Sequence, residues 1–399
     1  MRIAITHTRF SSNGGIEKYI YSLVLRLLDA GHEVHYLAAR ADSHEQSRLF
    51  VHKIPWLRFP PSLRVLSFDR NLNRVLARER FDLVHGFTKT SRQDIYTDGS
   101  GTLFEYIAAQ LAESASWRRA LHRASPHQRA ILAMERARFQ RGATRKIIAM
   151  AEFVRDQILA RYPVEPSRIE VVYNGVETER FHPARREELG APLRAQHRVP
   201  PSARVLAFAG NDWQRKGLTT AIESLATLRS MRPDLDLRLW VAGSDNHPQR
   251  YSQLASELGV AGQITWLGSV RAIEAVFAAA DLFVFPSRYD VFGNVGLEAL
   301  ASGVPAIFSA RAGVSEILNP KRVGAHASAG LVLADPHDAA ALARHTLELL
   351  EPARAPERAH AARALAEQYS WERHFARLLA IYAETLAEKR AEESRARCN

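Results

Sequence analysis

Arg204-Val205-Leu206-Ala207-Phe208-Ala209-Gly210-Asn211-Asp212-Trp213-Gln214-Arg215-Lys216-Gly217 is the stretch on which the fold of this chain turns. An apolar run ending in glycine reads as a strand buried on both faces, and the polar turn behind it as a loop at the strand's carboxyl end. In an open α/β sheet, ligands bind at that end. Adjacent Arg215 and Lys216 suit a diphosphate there, arginine as a fork and lysine as a compact charge. Taken alone, the segment also reads as a solvated basic turn with Gly217 starting a helix.

Similar apolar runs recur at Leu237 to Gly243, Ile264 to Gly268, Leu282 to Pro286 and Val304 to Ser309, separated by helical patterns. Five strands in this rhythm predict a doubly wound domain over residues 186–370. Upstream, Arg2 to Thr6, Glu33 to Leu37, Asp82 to His85, Lys146 to Ala149 and Ile169 to Tyr173 alternate with helices, the first from about Ile16 to Ala30 with Gly31 at its C′ position. This predicts a second such domain over 1–185. The polar stretch from about Pro183 to Ser202 reads as the linker between them. Trp371 to about Arg395 reads as one long helix within a terminal segment, 371–399.

A chain of 399 residues fits two such cores. Its one cysteine, Cys398, lies in a charged tail and excludes a disulfide framework. No apolar run is long enough to span a bilayer, and the first residues enter a strand without a signal-peptide pattern, so a cytoplasmic protein is expected. The net charge of +11 is uneven: residues 1–185 hold 29 Lys/Arg against 19 Asp/Glu, and 186–399 hold 25 against 24. The N-terminal half is therefore expected to meet an anionic partner, or simply to carry an arginine-rich solvated surface. Its densest segment, Leu103 to Arg145, has eight arginines against three glutamates, with Trp117, Arg118, Arg119, Arg123 and Arg129 together. It reads either as a helical region for an anionic membrane surface or as helices packed on their own domain.

Asp290-Val291-Phe292-Gly293-Asn294-Val295-Gly296-Leu297-Glu298 follows the strand Leu282 to Pro286, placing Asp290 in a glycine-containing loop and Glu298 about one turn into a helix. Carboxylates there suit sugar and ribose hydroxyls, while loop N–H groups suit phosphates. As isolated acids they read as a cap and a surface residue. In the N-terminal half, Gly14-Gly15 before the first helix permits close approach of an anion, or makes a tight turn. Asp98, in Tyr96-Thr97-Asp98-Gly99-Ser100, suits a base for an acceptor hydroxyl, or forms a turn. His7 and His85, at strand ends, are given no catalytic role.

Together these segments, with Tyr173-Asn174-Gly175-Val176, Ser302-Gly303-Val304-Pro305 and the late Trp371 helix, resemble glycosyltransferase family 4 over nearly the whole chain. Gly86-Phe87-Thr88-Lys89 and Phe139-Gln140-Arg141-Gly142 further resemble lipopolysaccharide inner-core glucosyltransferases. The resemblance implies a GT-B fold, with two Rossmann-like domains facing a cleft and the last helix returning to the first domain. It implies a retaining hexosyltransferase using a nucleoside diphosphate sugar, a UDP-sugar with glucose, on a membrane-associated glycan or lipopolysaccharide-core acceptor. The catalytic set is then Asp98, Arg215, Lys216 and Asp290, and the donor set Gly14, Gly15, Arg215, Lys216, Asp290, Phe292, Gly293, Asn294, Val295 and Glu298. No metal or other cofactor is implied, no nucleic acid partner is expected, and the enzyme works as a peripheral protein at the cytoplasmic face of the inner membrane. The family pattern has Glu where this chain has Asp290, which leaves the sugar open. The rival readings are a nucleotide-sugar epimerase or hydrolase, and a non-catalytic glycan- or nucleic-acid-binding module.

Overall fold

The computed structural model describes residues 1–11, 15–42, 47–110, 125–140 and 144–398. The chain divides into two compact units, Met1–Val172 with Phe375–Asn399, and Tyr173–His374.

The first unit is built on strands β1 (Arg2–Thr6), β3 (Glu33–Ala38), β5 (Leu49–Lys53), β6 (Leu83–Gly86), β7 (Ile95–Asp98), β8 (Lys146–Ala149) and β9 (Ile169–Val171). They form one seven-stranded sheet in the order β5-β3-β1-β6-β7-β8-β9. Every pairing in it is parallel. A minor two-strand pairing joins β2 (Arg9–Phe10) to β4 (Arg40–Ala41). Helix α1 (Gly15–Asp29) buries Tyr19, Ile20, Leu23, Val24, Leu27 and Leu28, a 3.6-period stripe. It ends as its sequence predicts: Gly31 has φ +84°, its N–H donates to Leu28 O and that of His32 to Leu27 O, each at 3.0 Å. Helix α2 (Pro61–Arg78) covers the other face, where Leu37, Ile54, Phe68, Leu72 and Phe81 form a core.

The final helix, Trp371–Cys398, is continuous, and its residues from Phe375 onward belong to the first unit. There Tyr382 Oη lies 2.6 Å from His85 Nδ1, and Lys389 Nζ 3.0 Å from Asp94. His85 also meets Thr97 Oγ1 at 2.7 Å, so this strand-end histidine is a buried structural group.

In the second unit, β10 (Arg204–Ala209), β11 (Leu237–Ala242), β12 (Ile264–Gly268), β13 (Leu282–Phe285), β14 (Ala306–Ser309) and β15 (Gly330–Leu333) form a six-stranded sheet, ordered β12-β11-β10-β13-β14-β15. All pairings are again parallel. The order reverses between β10 and β13, which opens a switch-point crevice at their carboxyl ends.

The expected boundary at residue 185 falls instead after Val172, and the stretch read as a linker is ordered within the second unit. It forms a π-helical turn, Arg186–Gly190, and a helix, Ala191–Gln196. Arg186 and Arg194 both pair with Asp281, whose carboxylate also accepts the Val205 N–H at 2.8 Å. These arginines resemble a solvated linker in sequence because their common partner lies some 90 residues away.

Candidate active site

The loop after β10 and the loop after β13 are tied into one structure at the switch point of the second unit. Arg215 O accepts hydrogen bonds from Arg288 N at 2.8 Å and Ser287 Oγ at 3.2 Å, while Arg215 Nη1 donates to Tyr289 O at 2.9 Å. Asp212, at φ +58°, caps the four-residue helix Trp213–Lys216 and accepts from Arg215 Nε at 2.8 Å. Gly217 closes that turn at φ +81°, and a Cβ there would press into the Pro286 carbonyl. Glycine is thus required where the two loops cross.

Arg215, Lys216 and Asp290 are brought together. Lys216 Nζ pairs with Asp290 Oδ2, Arg215 Nη1 lies 3.6 Å from the same oxygen, and the Phe292 N–H donates to Oδ1 at 3.3 Å. Burial works against the charge on Asp290, but Lys216 and Arg215 outweigh it and hold the carboxyl below its ordinary value. Burial likewise draws the Lys216 ammonium below its usual range, with Asp290 opposing and Arg215 reinforcing the shift. The Lys216 amine also lies 4.9 Å from the centre of the Phe285 ring. Asp290 was expected to face a sugar. In this arrangement its carboxylate anchors the two cations.

Gly293, at φ +96°, opens the helix Asn294–Ala301, and a Cβ on it would lie 2.9 Å from the Phe285 ring. Phe292 is buried, its carbonyl accepting the Val314 N–H at 2.7 Å. Asn294 and Val295 are half-buried on the first turn, and Asn294 Oδ1 accepts from Asn174 Nδ2 at 2.7 Å. Glu298 lies further along the helix, and its charge acts on Arg180, which pairs with Glu274 at 2.7 Å. The two acids of the motif therefore serve different neighbours.

In the first unit, Gly15 begins α1, and a Cβ on it would meet nothing within 4 Å. Gly14 lies outside the described residues. Asp98 ends β7 at 1% exposure and accepts from Tyr96 Oη at 3.3 Å. Burial, reinforced by Glu135, pushes its carboxyl up to about 6 against the pull of Arg138 and Lys89. Sequence reading missed this buried set. Arg138 Nε donates to Thr90 O at 3.2 Å with its guanidinium 4.0 Å from the Tyr96 ring centre, and Glu135 accepts from Leu103 N at 3.0 Å and from Tyr162 Oη. The i,i+3 spacing of Glu135 and Arg138 on the helix Pro126–Phe139 was the available signal.

That geometry corrects part of the reading of 103–145 as a surface region. Arg138 is buried, Arg145 pairs with Glu392 at 2.6 Å, and Leu103, Ile131 and Phe139 are core residues. Trp117, Arg118, Arg119 and Arg123 lie outside the described residues. Asp234-Leu235-Asp236 is an Asp-x-Asp sequence that precedes β11, at the sheet's other end, with Asp234 paired to Arg232 at 2.6 Å and Asp236 to Arg238 at 2.7 Å.

Two family models match the chain and together take in most of it: glycosyl transferases group 1 over residues 203–352, and glycosyltransferase family 4 over 13–92 and 105–180. The chain belongs to glycosyltransferase family 4. A D-inositol 3-phosphate glycosyltransferase of Salinispora tropica is 32% identical over 61% of this chain and 52% of that protein. The lipopolysaccharide glucosyltransferase WaaG of Escherichia coli K12 is 27% identical over 64% of each chain. These matches thus take in half to two thirds of the curated relatives' length. Among solved structures, WaaG, a glycosyltransferase involved in lipopolysaccharide biosynthesis, gives a TM-score of 0.80 at 22% identity, covering 95% of this chain and 99% of that one. Anabaena Alr3699/HepE in complex with UDP and glucose gives 0.71 at 17% identity, covering 97% and 99%. The fold is GT-B, and this family 4 member builds each of its two Rossmann-like units on a parallel sheet.

Proposed function

We propose that this chain is a retaining hexosyltransferase that moves a hexose, glucose in the first instance, from a nucleoside diphosphate donor, UDP-sugar in the first instance, to a membrane-associated glycan of the lipopolysaccharide-core type. The observation that carries the reading is the convergence of Arg215, Lys216 and Asp290 on the tied loops at the switch point of the second unit. A departing diphosphate gains negative charge as the bond from the sugar's anomeric carbon to phosphate oxygen breaks. Two cations held in advance favour that charge without reorganising. The acceptor hydroxyl oxygen forms the new bond on the same face, and its proton passes to the departing phosphate oxygen. Asp290 keeps both cations in place, the backbone from Phe292 to Val295 meets sugar and phosphate, and Glu298 takes the ribose hydroxyls. Asp98, whose carboxyl burial pushes up to about 6, orients the acceptor. Gly14 and Gly15 are assigned to donor binding.

Peripheral membrane contact at the inner face of a bilayer is part of the proposal. Among the described residues, no helix is long and apolar enough to cross a membrane. The first unit does expose Leu57, Phe59, Leu63 and Leu66 within ten residues, Phe59 at 82%, with Arg58 exposed among them. Apolar side chains beside arginine suit an anionic interface.

The inositol phosphate glycosyltransferases among the relatives favour a second acceptor, a small phosphorylated polyol. A screen of nucleoside diphosphate sugars against both acceptor types, read by product mass and anomeric configuration, tests the proposal. Transfer with retention to a lipid-extractable product supports it, and a water-soluble phosphorylated product supports the second reading. Free sugar released without acceptor, or no turnover of any donor, overturns both.

A further inference from the structure

Away from the switch-point loops, a second cluster gathers where β3, β5 and the end of α2 meet in the first unit. In the parallel register His35 stands opposite Phe50 and Leu37 opposite His52, so His35 and His52 are diagonal neighbours on the face that α2 covers. His35 Nδ1 lies 2.8 Å from His52 Nε2, and Glu79, the C-cap of α2, brings a carboxylate oxygen 3.7 Å from His52 Nδ1. One ligand atom from each of His35, His52 and Glu79 lies within 4.8 Å of the other two.

The surroundings orient these groups. Glu33 Oε1 lies 2.6 Å and Arg2 Nε 3.0 Å from His35 Nε2, which occupies that nitrogen and leaves Nδ1 facing His52. A carboxylate behind a histidine in this way is the usual outer support of a metal-bound imidazole. Phe50 stacks on the His35 ring at 4.9 Å and Phe81 meets its edge at 5.1 Å, so the ring cannot swing away. Arg2 spends its charge on the two acids, 2.8 Å from Glu33 and 3.2 Å from Glu79. The cluster has two carboxylates for one guanidinium and can accept a dication.

We infer that His35, His52 and Glu79 form a zinc-class divalent-cation site that clasps edge strand β5 to the end of α2. Zn²⁺ takes nitrogen at about 2.0–2.1 Å and carboxylate oxygen at about 2.0–2.2 Å, so tetrahedral ligands stand roughly 3.3 Å apart. His35 Nδ1 and His52 Nε2, 2.8 Å apart, reach that spacing by parting roughly half an ångström, while Glu79, which lies 3.7 Å from the other ring nitrogen of His52, swings its carboxylate to the same point within the 4.8 Å that encloses the three ligand atoms. Water completes the fourth position. The clasp has mechanical purpose: among the described residues β5 pairs in its sheet with β3 alone, and it exposes Phe50 and Val51. The site is structural and separate from the sugar chemistry proposed above.

Zinc titration of the full chain by calorimetry, with thermal melts, tests the inference. One equivalent of zinc is expected, with a rise in the melting midpoint that grows with free zinc. His52→Gln and Glu79→Gln, each checked for wild-type circular dichroism, should lose both the equivalent and the rise, and Glu33→Gln should weaken binding by about 10-fold or more. The graded loss separates this site from other histidines of the chain. Failure to bind one equivalent, or unchanged binding in folded His52→Gln and Glu79→Gln proteins, overturns the assignment.

Discussion

Lys216 and Asp290, 74 residues apart in sequence, form a part-buried ion pair that joins the loop after β10 to the loop after β13. Because each is the other's main electrostatic partner, removing either changes more than one charge. Lys216→Ala should lower turnover by at least about 10²-fold with a small change in the donor's Michaelis constant, since its charge is felt most as the diphosphate departs. Steady-state kinetics with the donor identified by the screen checks this, and near-normal turnover would exclude Lys216 from leaving-group stabilisation.

Asp290→Ala should be costlier for folding than Lys216→Ala, because it leaves a cation without its counter-charge in a largely dry site. A loss of about 1–3 kcal/mol is expected by urea denaturation. Asp290→Glu keeps the charge but adds a methylene, displacing either the cations or the carboxylate. It should alter the ranking of hexose donors, and an unchanged ranking would show that Asp290 does not set sugar choice.

Gly217→Ala should destabilise by more than about 1 kcal/mol, through its positive φ and the clash with Pro286. Gly262, beside which a Cβ meets nothing within 4 Å, supplies the control: Gly262→Ala should lie within about 0.5 kcal/mol of wild type. Equal melting curves for the two variants would contradict the crossing-loop geometry.

Asp98 sets a pH dependence. Its carboxyl rises from 3.8 to about 6 on folding, so the folded chain keeps this proton after the unfolded chain has lost it. Stability from this group is complete below the unfolded value and declines as pH climbs through about 6, by at most about 3 kcal/mol. Asp98→Asn lacks that decline. Its stability relative to wild type should grow between pH 4 and 6 and then level off, while transferase activity falls by about 10²-fold. A pH-independent difference would mean the carboxyl is not raised.

Liposome sedimentation distinguishes two membrane surfaces. Serine at Leu57, Phe59, Leu63 and Leu66 should reduce binding to anionic vesicles by about tenfold or more, given the apolar area those four side chains expose. Arg118, Arg119 and Arg123 changed to Ser should weaken binding in a salt-dependent way, at about 1 kcal/mol each where they touch lipid. Equal binding of wild type to neutral and anionic vesicles would reject the electrostatic part of the contact.

The βαβ rhythm, the Gly31 stop, the Arg215-Lys216 turn and the Gly293 loop were legible because each is local: apolar spacing, a left-handed glycine and a charge doublet depend on residues a few places apart. What the tertiary structure alone decided are pairings across long separations. Arg186 and Arg194 look like linker residues until Asp281 is placed beside them, and Arg138 looks like a surface cation until the fold buries it against Tyr96. Lys216 and Asp290 belong to separate motifs until the fold joins them in one ion pair, and His35 and His52 stand 17 residues apart until parallel register sets them diagonal. The physical reason is common to all: a side chain's charge, burial and protonation follow from its spatial neighbours, which sequence periodicity does not encode.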